Sequence, residues 1–111
     1  MKLNIRQVLK SYQGENMKMV GENDKERDLT VRDALNSAIN GVELNPQGQQ
    51  KTLTAEDKGR IYQLSTKLWS VSKDIDLSVE EAAFIKKRLG VVANVNPLLF
   101  GRISDLLEKK D

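Results

Sequence analysis

At 111 residues, the chain has room for one domain with one modest core and little else. It contains neither cysteine nor histidine, which removes disulfides, thiolate metal sites, the usual general base and the commonest metal ligand. Its 18 Lys and Arg nearly balance 16 Asp and Glu, and both signs are spread evenly, so no segment shows the asymmetry of a nucleic-acid footprint.

The opening "MKLNIRQVLK" has no uninterrupted apolar run of the kind a signal peptide needs, and no stretch approaches the length of a membrane span. The expectation is a soluble, cytoplasmic protein with no membrane contact. Residues 1–28 read two ways. Leu3 and Ile5 alternate with polar neighbours as in a half-buried strand, and Gln13-Gly14 would close a hairpin onto Met17 and Met19. Ile5, Val8, Leu9 and Tyr12 also fit the helical spacing. The hairpin is the preferred reading. "GENDKERD" (Gly21 to Asp28) reads as a surface loop, being highly charged with nothing to bury.

From Leu29 onward the chain is punctuated by one repeated phrase. "DLTVRDAL", "TLTAEDKG" and "DLSVEEAAF" each place a hydroxyl residue before an amphipathic run: Thr30, Thr54 and Ser78. Three residues later stand Asp33, Asp57 and Glu81, the spacing of a capping box. Glu is the favoured partner, so Ser78–Glu81 is the strongest of the three. Leu29, Leu53 and Leu77 occupy the preceding position, where a leucine can staple onto the first turn. The helices themselves do not match one another, so the phrase marks three helix starts rather than a structural repeat.

The first helix is predicted over about 31–40, with Ala34, Leu35, Ala38 and Ile39 inward and Gly41 as its stop. The second runs over about 55–70 with Ile61, Leu64 and Leu68 as its apolar line. The third, about 79–89, buries Ala82, Phe84 or Ile85, and Leu89, and ends at Gly90. Asn96-Pro97 opens the fourth, which buries Leu99, Ile103, Leu106 and Leu107 and extends to about residue 109. Gly59 and Gly101, inside helices, suggest close helix crossings. The expected fold is mainly α: a compact bundle of about four short helices with a small N-terminal hairpin or extra helix. It is read as a single domain, residues 1–111, with residues 29–111 as the helical core.

Candidate sites are few, and no motif calls for a cofactor. Asp74, Asp76, Ser78 and Glu80 start like a calcium loop, but Val79 and Ile85 occupy the positions that need Gly and Glu. An acidic helix start is the better reading. "GQQKT" (Gly48 to Thr52) echoes a phosphate loop without the glycine that should precede the lysine. The run Lys86-Lys87-Arg88, joined by Arg102, Lys109 and Lys110, would supply phosphate contacts in a DNA-binding protein. It also fits the last turn of a helix, where cations complement the dipole, and the pattern favours that solvated end.

On the second helix, at about 100° per residue, Ile61, Leu64 and Leu68 fall near 0°, 300° and 340°, while Tyr62 and Trp69 fall near 100° and 80°. Two large aromatics therefore share one flank beside the core stripe. The preferred account has the N-terminal segment covering them; the alternative makes them an exposed partner surface.

"LTVRDALNSA" (Leu29 to Ala38), "LTAEDKGRIYQL" (Leu53 to Leu64), "DLSVEEAAFIKK" (Asp76 to Lys87) and "PLLFGRISDLLE" (Pro97 to Glu108) occur in that order. Together they resemble a group of small proteins encoded by tailed bacteriophages and prophages. The resemblance covers most of the chain after Leu29 and implies a phage context in a bacterial cytoplasm. That group has no assigned activity, so no functional residue is carried over. With no catalytic constellation in view, the leading expectation is a non-enzymatic phage protein that binds another protein, of the phage or of the host. It would chaperone or connect virion parts, or block a host factor, with self-association open. The alternative is a small helical DNA-binding regulator using Lys86, Lys87 and Arg88.

Overall fold

In the computed structural model, which describes residues 1–108, four α-helices and two small antiparallel strand pairs enclose one core. The helices are α1 (Val31–Asn40), α2 (Ala55–Ser70), α3 (Val79–Leu89) and α4 (Pro97–Glu108). Their starts follow the capping chemistry. Ser78 and Glu81 form the reciprocal box: the Glu81 N–H donates to Ser78 Oγ at 3.1 Å, and the Ser78 N–H donates to Glu81 Oε1 at 2.9 Å. Thr54 Oγ1 accepts from the Asp57 N–H at 3.1 Å. At Asn96 the side-chain oxygen accepts from the Leu99 N–H at 2.8 Å. Thr30 differs, because its N–H and its hydroxyl both donate to Asp33 Oδ2, at 3.0 and 2.9 Å.

Helix α1 is the hub. It packs against α2, α3 and α4, and Ala34, Leu35, Ala38 and Ile39 are all buried. The two alanines let neighbouring helices approach, while Leu35 and Ile39 fill the space between them. Leu64 and Leu68 of α2, Phe84, Ile85 and Leu89 of α3, and Leu99, Ile103 and Leu107 of α4 complete the core. Leu77 is buried before α3 and Leu29 is partly buried before α1, as staples would be. Among the described residues no helix is long and apolar enough to cross a membrane.

The N-terminal segment departs from its expected form. Strand β1 (Lys2–Asn4) pairs with β4 (Asp74–Asp76), in register Leu3 with Ile75, and not with the Met17–Met19 region. The alternation at Leu3 and Ile5 was a strand signal, but its partner lies far along the chain. Asp74–Asp76, read as part of an acidic helix start, is instead an extended strand with Ile75 buried. A tight turn does form at Gly14, where the Ser11 N–H donates to Glu15 O and the Met17 N–H to Leu9 O. A second hairpin then joins β2 (Lys18–Val20) to β3 (Glu26–Asp28). The charged stretch from Gly21 to Asp28 is therefore part strand rather than all loop. Its turn passes through Asn23 and Asp24 at φ 68° and 57°, a conformation their short polar side chains tolerate.

Three glycines also differ from expectation. Gly41 is extended (φ −67°, ψ 161°), so it does not stop α1 by adopting a left-handed conformation. It is needed for space: a Cβ there would lie 2.6 Å from the Ser37 carbonyl oxygen and 2.9 Å from Val92 Cβ. Gly59 and Gly101 do not mark helix crossings. Apart from chain neighbours and the helix's own nearby backbone, a Cβ at either meets no described atom within 4 Å.

Candidate functional site

Tyr62 and Trp69 stand seven residues apart on α2, which puts them on one flank about two turns from each other. They are 74% and 54% exposed. The N-terminal segment does not cover them, contrary to the preferred expectation. Its backbone is committed elsewhere: to β4 through β1, to the start of α1 through Gln7 O and Ile5 O, and to α4 through Arg102, which donates to Lys10 O and Ser11 O.

Trp69 is nonetheless held in place. Its Nε1–H donates to Asn36 Oδ1 at 3.3 Å, and the Arg32 guanidinium lies over its ring, 5.2 Å from the centroid. Asn36 is fixed in turn by Asn40 Nδ2 at 3.0 Å, and Asn40 also donates to Ser65 Oγ at 3.0 Å. The seam where α1 meets this flank of α2 is thus polar and ordered beside the exposed indole.

At its lower end Trp69 borders an open groove of about 730 Å³. Arg6, Arg27 and Arg32 line it, with Asp33 as the single carboxylate among the described residues of its lining. Asp33 is spent on structure. Arg27 donates to both of its oxygens at 2.7 Å, tying β3 to the first turn of α1. Burial would push the Asp33 carboxyl up, but the bonds from Arg27 and Thr30 outweigh it and hold the group below its ordinary value. Arg6 and Arg32 are held by carbonyls instead: Arg6 Nε donates to Ser72 O at 2.7 Å, and Arg32 Nη2 donates to Val71 O. Those oxygens lie just past the C-terminus of α2, where cations are favoured. Neither bond cancels a positive charge.

The basic run at the end of α3 is not a surface unit. Arg88 is buried, donating to Gly41 O and lying 3.6 Å from Glu43 Oε2. It follows Phe84 and Ile85 by one turn and so falls on their buried face. That corrects both accounts of Arg88, as a phosphate contact and as a solvated helix end. Lys86 faces Glu108 at 3.9 Å, and Lys87 is exposed. Arg102 is engaged by the N-terminal segment, and Lys109 and Lys110 lie outside the described residues.

The remaining motif fragments fold into ordinary turns. The "GQQKT" stretch belongs to a small loop in which Asn45 Oδ1 accepts from the Gln47 and Gln49 N–H groups, and Lys51 pairs with Glu43 at 3.1 Å. Among the described residues no group of His, Cys, Asp or Glu side chains is arranged to hold a metal ion. Arg6 and Arg27 were not foreseen beside Trp69. They come from segments with no sequence signal linking them to α2.

In comparisons with known proteins, no family model, curated protein or solved structure matches the chain.

Proposed function

We propose that this is a small non-enzymatic bacteriophage protein that acts in the bacterial cytoplasm by binding another protein, of phage or host. In this reading it would chaperone or connect virion parts, or inhibit a host factor. The observation that carries the binding reading is the exposure of Tyr62 and Trp69 on one ordered flank. Aromatics of this kind dominate the energetics of protein interfaces, and an indole pinned by a side-chain bond loses little entropy on binding. The phage context rests on the resemblance of the four capped segments alone. A DNA-binding regulator built on Lys86, Lys87 and Arg88 is disfavoured, because Arg88 is sealed inside and cannot reach a phosphate.

The test is capture with the tagged protein from phage-infected host lysate, run in parallel with Trp69→Ala and Tyr62→Ala. A partner retained by the natural chain and lost by at least one variant that stays folded, with a melting temperature lowered by no more than about 8 °C, is the expected result. Retention of the same partner by both variants would remove this surface from the account.

A further inference from the structure

Building on that protein-binding reading, we infer that the groove beside Trp69 is a receptor for an acidic polypeptide segment, with carboxylates on Arg6 and Arg32 and an apolar side chain against the indole. Three guanidinium groups line this groove against one carboxylate, and that carboxylate is already doubly bonded to Arg27. The two guanidinium groups left over are oriented by the Ser72 and Val71 carbonyls, which fix them without neutralising them. A planar fork held in position is well suited to a carboxylate, since it donates paired hydrogen bonds to the two carboxylate oxygens with little further ordering.

Charge decides the sign of the occupant, and size decides its class. An open groove of about 730 Å³ takes a few side chains. Two arginines of the groove with no carboxylate partner among the described residues match two carboxylates on a peptide. They are too few for a duplex, which carries a phosphate charge about every 1.7 Å and is bound by broad basic faces. The exposed indole adds what a purely ionic site lacks, an apolar platform for a neighbouring Leu or Phe of the same segment. A partner presenting Asp or Glu beside an apolar residue fits; a basic one is repelled.

Trp69, the chain's single tryptophan, reports on the groove directly. The probes are a short blocked peptide rich in Asp, Glu and Leu, its Asn/Gln counterpart, and an oligothymidylate of equal charge. The acidic peptide is expected to shift Trp69 emission saturably, with the amide counterpart at least about tenfold weaker. Arg6→Gln and Arg32→Gln should each weaken it about tenfold, whereas Lys87→Gln, which removes the same charge far from the groove, should not. Arg6 is exposed, so its variant keeps the test valid if Arg32→Gln fails to fold.

Equal binding of the amide peptide, or none by the acidic one, overturns the inference. Tighter binding of the oligothymidylate reassigns the groove to nucleic acid, and a dimer that dissociates when the groove is mutated reassigns it to a second copy. Capture of a natural partner that depends on Trp69 but not on Arg6 or Arg32 would sink the acidic receptor while sparing the binding surface. Independence from Trp69 as well would sink both.

Discussion

Arg88 and Arg32 are both half of a helix-to-backbone tie, yet they do opposite things. Arg88 reaches from α3 to the Gly41 carbonyl and Glu43, is 4% exposed, and closes the joint between α1 and the loop that follows. Arg32 reaches from α1 to the Val71 carbonyl, with an aromatic ring beneath it and a groove beside it. The guanidinium chemistry is the same in each. What differs is whether a carboxylate faces the cation and whether solvent can reach it. A sealed, paired arginine serves the fold, while one held by a carbonyl and an aromatic ring at a groove keeps its charge.

The largest effect separating the two regions is expected at the sealed one. Arg88→Met should cost about 3 kcal/mol, since it strips the Gly41 carbonyl and part of the Glu43 partnership while leaving both largely out of water. Lys51 still pairs with Glu43 at 3.1 Å, which keeps the loss below that of a wholly orphaned carboxylate. Urea denaturation reads it, and a midpoint unchanged from the natural chain would mean that the joint at Gly41 is not held as described.

Asp33 is a structural group on the wall of the groove. Its folded pKa is lowered, so its contribution is complete above the unfolded value near 4 and is lost as pH falls through the folded value. Asp33→Asn should therefore cost about 1–3 kcal/mol at neutral pH and flatten the acid limb of stability below about pH 4. Part of that limb should survive. Burial raises the Glu81 carboxyl, but Lys67 at 2.8 Å and the Ser78 N–H more than offset it and hold Glu81 low as well. An acid limb identical in the variant would show that Asp33 does not contribute to it.

Ser78→Ala comes next, at about 1 kcal/mol, a typical loss for one cap hydroxyl. It tests the part of the molecule that was most readable. Capping residues act on backbone groups two or three positions away, so all four helices could be placed from local spacing. The strand pairings could not. Each is three residues long, and the register of Leu3 with Ile75 depends on the packed core, not on any neighbour in sequence. Arg88 shows a signal that was present but outweighed: its position in the last turn suggested a solvated cation, while its spacing from Phe84 and Ile85 placed it on the buried face. For Trp69 the helical angle was the sound guide. It put the indole off the core stripe, and only an assumed cover from residues 1–28 argued for burial. Arg6 and Arg27 reach the groove through tertiary structure alone.

The smallest expected effect is the one that divides the fold from its function. Trp69 makes a single long hydrogen bond to Asn36 and one cation–π contact with Arg32, and over half of it meets water. Trp69→Ala should cost less than about 1 kcal/mol, within the range for surface substitutions with few partners. A core tryptophan would cost about 3–5 kcal/mol, because a cavity would remain. Emission should agree, with a maximum close to that of indole in water in the free protein. A large drop in melting temperature together with blue-shifted emission would place Trp69 among the groups that build the domain, alongside Arg88. If the loss is small, the indole has no structural duty that accounts for it. The proposed partner surface then stands, and the groove peptides decide whether the indole and the two arginines beside it bind anything.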